Sequence, residues 1–394
     1  MDFRLSVEES SIRDTVRTFV DRELIPLEST LLQREIDGGY GASPGLSDDE
    51  RAALQAKAQR LGLWGIDTPE EYGGADLDPV AQAVIHEELG RTFVDFEFGG
   101  SVVHALYGCN AEQRERYLLP VMRGERPRPA VAISEPGGGS DALAMRTTAV
   151  RKGDVFVING EKTWITYADT ADFCILFVRT PLEGDGGVTA FLVDRGLGWE
   201  SRPIALMGAR DKVGSLVFED VEVPADRVMG VVNRGFDHMM GFIYRNRAYM
   251  LSAKNIGAAS RLLEMAIAWA KDRIVGGKAL AERDSVGFML AECELELRAA
   301  KLMVYQAADR ARRGVDYRHE AYANKVFVAR MAGTVVDKVL QLHGALGYAK
   351  ESPVERWYRD LRVERIYDGA DEVNLANLAR SLLRSYRSVG DVLT

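Results

Sequence analysis

The stretch of this chain best suited to chemistry is Arg365-Ile-Tyr-Asp-Gly-Ala-Asp-Glu372, centred on Asp368. A carboxylate there lies between Tyr367 and a Gly-Ala pair, poor surroundings for a solvated surface acid. Burial in such company raises a carboxylate's pKa toward that of a working general base. An ordinary turn aspartate is the competing reading. Gly369 lets the chain turn, and Asp371 is placed to cap a helix whose apolar face begins at Val373, Leu375 and Leu378.

The rest of the chain must hold that acid in position. Its 394 residues suggest two or three domains, each large enough for its own core. Cys109, Cys174 and Cys293 are widely spaced, which argues against a disulfide framework or a zinc site and for small core fillers in a reducing compartment. A net charge of -9 without a basic stripe argues against nucleic-acid binding, so an anionic ligand has to be met by local arginines. No apolar run reaches membrane-spanning length and Met1 to Glu9 lacks a signal-peptide pattern, so the expectation is a cytoplasmic protein away from membranes.

The apolar period divides the chain in three. Residues 1–125 read as helical, with a capping box at Ser6 and Glu9, a second helix opened by Ser47-Asp-Asp-Glu50, and a third begun by Asp78-Pro79. His86 and His104 fall inside helical segments without partners at ligand spacing, so no metal site is expected. Residues 126–232 alternate like strands, and Asn159-Gly160 reads as a hairpin turn between two of them. From 233 to 394 the helical period returns, with segments near 241–273, 285–313, 319–343 and 371–388 sufficient for an antiparallel four-helix bundle. The fold class is therefore α+β multidomain: an all-α domain, a barrel-like β domain and a helical bundle.

Two segments of the β domain, Ala130-Val-Ala-Ile-Ser-Glu-Pro-Gly-Gly-Gly-Ser-Asp141 and Asn159-Gly-Glu-Lys-Thr-Trp-Ile-Thr166, resemble the flavin-seat motifs of the acyl-CoA dehydrogenase family. The resemblance covers essentially the whole chain, in the same domain order. It implies FAD as cofactor, seated on Val131, Ile133, Ser134, Trp164 and Thr166. Hydroxyl and backbone donors would meet the ring's polar edge and the indole would form an apolar wall. Ser140 corresponds to a serine lining the coenzyme A entry, and Val131 stands where many members carry an aromatic, which implies a roomier substrate side.

The C-terminal third carries the remaining matches. Arg247 in Tyr244-Arg-Asn-Arg-Ala248 resembles an arginine near the substrate and the catalytic loop. Asn246 occupies the position where some members put the catalytic glutamate, and an amide cannot serve as that base. Arg273 resembles the arginine that reaches a neighbouring subunit's flavin pyrophosphate, and Gln341, Gly344 and Ala345 fall in a pyrophosphate-binding stretch. Gly276, Asp284 and Ala345 depart from the usual residues of these segments, so either a lower flavin affinity or a differently held adenosine end is expected. Ile366-Tyr-Asp-Gly-Ala370 stands where many members have Ile-Tyr-Glu-Gly-Thr, making Tyr367 and Gly369 substrate-lining and Ala370 cofactor-lining residues. Aspartate shortens the reach of the acid by one methylene, about 1.5 Å.

The resemblance implies α,β-dehydrogenation of an acyl-CoA thioester, with Asp368 taking the α-proton and the β-hydride passing to flavin N5. It further implies an electron-transfer flavoprotein as acceptor and a homotetramer or dimer. A nitroalkane-oxidase-like flavin oxidase shares the fold and an aspartate base, and a non-catalytic assembly member would account for the altered pyrophosphate residues.

Overall fold

A computed structural model describes residues 4–39, 45–181, 187–208, 213–384 and 390. The N-terminal part holds α1 (Val7–Phe19), α2 (Glu28–Gly38), α3 (Asp48–Arg60) and α4 (Pro79–Leu89), followed by α5 (Ala111–Gln113), a π-helical turn (Arg114–Leu118) and α6 (Leu119–Met122). Capping explains where these helices begin. The capping boxes of Ser6 with Glu9 and Ser47 with Glu50 both form, and Asp78 caps α4 ahead of Pro79. α2 forms in a stretch for which the apolar period predicts no separate helix.

The middle part is one twisted sheet. Its strands are β1 (Ala130–Ala132), β2 (Thr148–Lys152), β3 (Val155–Thr166), β4 (Phe173–Thr180), β5 (Gly187–Asp194), β6 (Glu200–Ile204), β7 (Val213–Pro224) and β8 (Val228–Met229). They run in the order β6-β7-β3-β2-β4-β5-β8, with β1 parallel to β4. The expected hairpin at Asn159-Gly160 is absent: both residues lie within β3, which continues through a register shift. Gly160, at φ 144°, crosses so close to Thr147 that a Cβ would approach its Oγ1 to 2.6 Å, and Asn159 spends its side chain on Asp220. The glycine permits a bulge there, not a turn. Chain reversal falls instead at Gly153, between β2 and β3.

The C-terminal part contains α7 (Met239–Arg245), a π-helical turn (Asn246–Met250), α8 (Leu251–Asp272), α9 (Asp284–Arg312), α10 (Arg318–His343), α11 (Pro353–Arg362) and α12 (Asp371–Arg384). A single core joins this bundle to the N-terminal helices, with Val20, Leu24 and Phe93 in the same cluster as Ile256, Val335 and Trp357. α4 and α8 touch backbone to backbone: a Cβ on Gly257 would lie 1.9 Å from the Glu87 carbonyl oxygen. Cys109, Cys174 and Cys293 are all buried and free, the core role their spacing suggested. None of the described helices is long and apolar enough to cross a membrane.

Candidate functional site

Asp368 sits at the tip of a short loop between α11 and α12 with φ 52°, a left-handed conformation that costs a non-glycine residue energy. Several side chains hold it there. Arg247 Nε donates to the Asp368 backbone carbonyl at 2.7 Å and lies 3.7 Å from its Oδ2. Asn246 Nδ2 donates to the same Oδ2 at 3.2 Å. Asn374 Nδ2 reaches back from α12 to the carbonyls of Gly369 and Ala370 at 2.7 and 3.1 Å. A Cβ at Gly369 would fall 2.5 Å from Arg247 Nη2, so a larger residue there would displace the guanidinium.

Asn246 and Arg247 both come from the π-helical turn Asn246–Met250, where one extra residue per turn interrupts the α ladder. Ser252 Oγ donates to the Arg247 carbonyl at 2.6 Å. Beneath the loop lies a buried polar network that the sequence reading missed. Tyr367 donates its hydroxyl to Glu364 Oε1 at 3.0 Å, Asn255 Nδ2 donates to Glu364 Oε2 at 2.9 Å, and Lys325 Nζ donates to the Glu364 backbone carbonyl. The same ammonium stands 5.4 Å from the centroid of the Tyr367 ring. Lys325 and Asn255 give no local signal in the sequence beyond polar residues on otherwise apolar helix faces.

These surroundings set the proton affinity of the acid. Burial pushes the Asp368 carboxyl up to about 6, against the Arg247 and Lys325 charges and the Asn246 hydrogen bond, which lower it. Burial also lowers the Lys325 ammonium, opposed by the carboxylates of Glu364 and Asp368. Asp371 is not the cap expected of it. It is the first residue of α12, and its Oδ2 accepts from Arg330 at 2.9 Å and Arg365 at 3.0 Å. Two guanidiniums outcompete a local backbone amide for the carboxylate.

The predicted flavin-seat residues gather at the end of β3. Trp164 takes φ 61° and leaves its indole 59 % exposed, while Thr166 closes the strand. Thr163 N–H donates to the Ser134 carbonyl at 2.9 Å, tying the end of β1 to β3. Glu135 anchors the turn that follows. It accepts from the fully buried Lys162 at 2.8 Å and from the amides of Arg146 and Thr147 at 2.6 and 2.9 Å. Gly137 and Gly138 have open space where a Cβ would be, and Ser140 is exposed beyond them. An exposed flat indole beside hydroxyl residues on a pinned turn fits an isoalloxazine ring. Val131 and Ile133 pack in one core with Phe242 and Ile243 of α7, which runs straight into Asn246 and Arg247. The seat and the acid loop are thereby joined through one helix.

The third predicted group stands apart, where α8 and α10 end. Arg273, Gln341, Gly344 and Ala345 are all exposed. Trp269 Nε1 donates to the Leu342 carbonyl at 3.1 Å, His343 stacks on its indole at 5.2 Å, and the Arg273 guanidinium lies 5.8 Å from the ring centroid. No group of His, Cys, Asp and Glu able to hold a metal ion occurs among the described residues.

Known proteins share this layout. The acyl-CoA dehydrogenase N-terminal domain matches residues 6–125, the middle domain 130–221 and the C-terminal domain 233–383. A 3-(aryl)acrylate reductase of Clostridium sporogenes is 34 % identical over 95 % of this chain and 98 % of its own length. Caffeyl-CoA reductase-Etf complex subunit CarC of Acetobacterium woodii is 32 % identical, over 96 % and 99 % respectively. The solved butyryl-CoA dehydrogenase of Megasphaera elsdenii superposes with a TM-score of 0.83 at 28 % identity, covering 98 % of this chain and all 100 % of that one. With every domain matched in order, this chain belongs to the acyl-CoA dehydrogenase family of FAD-dependent oxidoreductases.

Proposed function

We propose that this protein interconverts an acyl-CoA thioester and its 2-enoyl-CoA, with Asp368 as the group that exchanges the α-proton. The observation carrying this reading is the Asp368 carboxylate itself, buried to 15 % side-chain exposure on a loop whose main chain Arg247 grips. A carboxyl pushed up to about 6 is a far better base than a solvated aspartate and remains ionised at neutral pH. Its backbone N–H would polarise the thioester carbonyl while the side chain removes the proton. When bound, FAD supplies the acceptor for the hydride that leaves the β-carbon. Arg247 and Asn374 fix the main chain of the loop that carries this shorter acid.

The names of two relatives favour a second direction of use. Both the aryl-acrylate and the caffeyl-CoA protein are reductases, and the same carboxyl, in its acid form, can return a proton to the α-carbon. The second of those proteins is also named as part of an Etf complex, which supports an electron-transfer flavoprotein as redox partner here. A second copy of the chain would complete the dinucleotide site, because Arg273, Gln341, Gly344 and Ala345 face solvent in the single chain.

Spectrophotometry of the purified flavoprotein with straight, branched and aryl acyl-CoA esters tests the reading. Bleaching of the flavin under anaerobic conditions is expected, and Asp368→Asn should keep the colour while losing the bleaching. Unchanged bleaching in that variant would falsify the assignment of the base. Peroxide from nitroethane without any thioester would establish the oxidase reading, and a colourless protein unable to take up FAD the assembly reading.

A further inference from the structure

A second cluster of buried polar side chains lies close to the acid loop without taking part in it. Arg245 is the last residue of α7, immediately ahead of Asn246 and Arg247. Its Nη2 donates to Gln82 Oε1 at 2.6 Å, its Nε lies 3.1 Å from the Tyr249 hydroxyl, and its Nη1 meets the ring nitrogens of His104. His104 Nε2 is 3.6 Å from Asp67 Oδ2, and Arg245 Nη2 is 4.0 Å from the same oxygen. The His104 ring packs 5.0 Å from that of Tyr107 and 5.9 Å from that of Phe242. Tyr107 and Phe242 in turn pack in the same core as Val131 and Ile133 of the flavin-seat strand. The cluster thus adjoins, through Arg245, the turn that holds Asp368 and, through Tyr107 and Phe242, the core behind Val131 and Ile133.

A purely structural cluster at this depth would satisfy its own polar atoms. This one does not. Asp67 Oδ1 and the Tyr107 hydroxyl are buried without a well-formed hydrogen bond, with the Ser101 and Thr68 hydroxyls as weak polar neighbours. Leaving such atoms unpaired is costly, and a ligand group able to pair with them recovers that cost. The charges narrow the choice of group. Arg245 and Asp67 balance, and burial together with the Arg245 charge lowers the proton affinity of the His104 ring, opposed by Asp67. A carboxylate tail would bring an uncompensated negative charge to Asp67. An alkyl tail would leave both atoms unpaired. A hydroxyl can donate to Asp67 Oδ1 and accept from Tyr107.

We propose that Asp67, His104, Arg245 and Tyr107 form the tail end of the acyl site and select a thioester whose acyl group ends in a neutral hydroxyl. The stacked rings of Tyr72 and Tyr107, 5.6 Å apart, make an aromatic spacer in that acyl group a good fit. The proposal rests on the dehydrogenation reading above.

The experiment compares anaerobic flavin bleaching by 3-phenylpropanoyl-CoA, its 4-hydroxyphenyl analogue and its 4-carboxyphenyl analogue. The hydroxyl ester is expected to exceed each of the others in kcat/KM by about tenfold or more. Tyr107→Phe, which removes one oxygen and keeps the ring, and Asp67→Asn should each reduce that ratio by at least about threefold. The ratio is the readout because a general packing defect would slow all three esters together. Equal bleaching by the three esters overturns the tail site alone, as does a ratio that survives in Tyr107→Phe. Bleaching by none of them while a straight-chain acyl-CoA bleaches the flavin overturns the tail site alone, and bleaching by no acyl-CoA overturns the dehydrogenation reading with it.

Discussion

Two ends of the same helical bundle carry chemically promising residues, and they are built in opposite ways. At the acid loop, Asp368, Arg247, Tyr367 and Asn374 are each hydrogen-bonded within the chain, over a floor of Lys325, Glu364 and Asn255 buried almost completely. At the other end, Arg273, Gln341, Gly344 and Ala345 are all exposed, and Gly344 has open space where a Cβ would be. A region that does chemistry by fixing one carboxylate must be finished by its own fold. A region that grips a dinucleotide from outside can be left open until the ligand or another subunit arrives. Changes at the first end should therefore show up in folding and proton affinity, and changes at the second in cofactor retention.

Removing the floor of the closed end should have the largest effect. Lys325→Met withdraws the buried ammonium from the Glu364 carbonyl and from two carboxylates, and should destabilise the protein by about 3–5 kcal/mol in denaturant titration. It should also raise the pKa of Asp368 further, because the lysine charge is one of the groups holding it down. Unchanged stability would mean that the network does not support the acid loop.

Asp368 gives the next effect, with a sign that distinguishes a strained buried acid from a surface one. Its carboxyl is raised from 3.8 to about 6 in the folded protein, so folding favours the protonated form. The associated stability is fully present below pH 3.8 and is lost as pH rises through about 6. Asparagine cannot ionise, so Asp368→Asn should gain on the wild type by about 1–3 kcal/mol between pH 4 and pH 8, read as a difference in Tm. In activity, the same group predicts kcat/KM rising with pH through about 6. Asn246→Leu removes a hydrogen bond that lowers this pKa and should move that limb upward.

Gly369→Ala tests the geometry of the loop more gently. Its φ of 89° disfavours any side chain, and the new Cβ would fall on Arg247 Nη2. A cost of about 1–2 kcal/mol is expected, with a fall in kcat of about tenfold as the arginine shifts. Full activity would show that Arg247 need not hold the loop where it does.

Sequence patterns revealed the closed end only in part. Asp368, Gly369 and Arg247 were visible because unusual residue types sat together or matched a family motif. Lys325, Asn255 and Glu364 were not, since their meeting depends on how α8, α10 and the acid loop pack, with up to 109 residues between partners. Capping chemistry located α1, α3 and α4 because a cap is a local interaction. The same local reasoning failed at Asn159-Gly160, where a contact with Thr147, just ahead of β2, decided between bulge and turn. It failed again at Asp371, whose carboxylate was claimed by an arginine from α10.

The open end yields the smallest effect on the folded chain. Arg273→Ala removes a guanidinium that is exposed and lies 5.8 Å from the Trp269 ring, so it should alter the stability of the apoprotein by no more than about 0.5 kcal/mol. If the arginine serves a neighbour's dinucleotide, the same variant should weaken FAD retention by about tenfold on dilution or gel filtration, the scale of one charge-assisted contact. Stability and retention then separate, which they cannot do at Lys325. Loss of both together would mean that this end is also finished by its own fold, and the contrast between the two ends would fail.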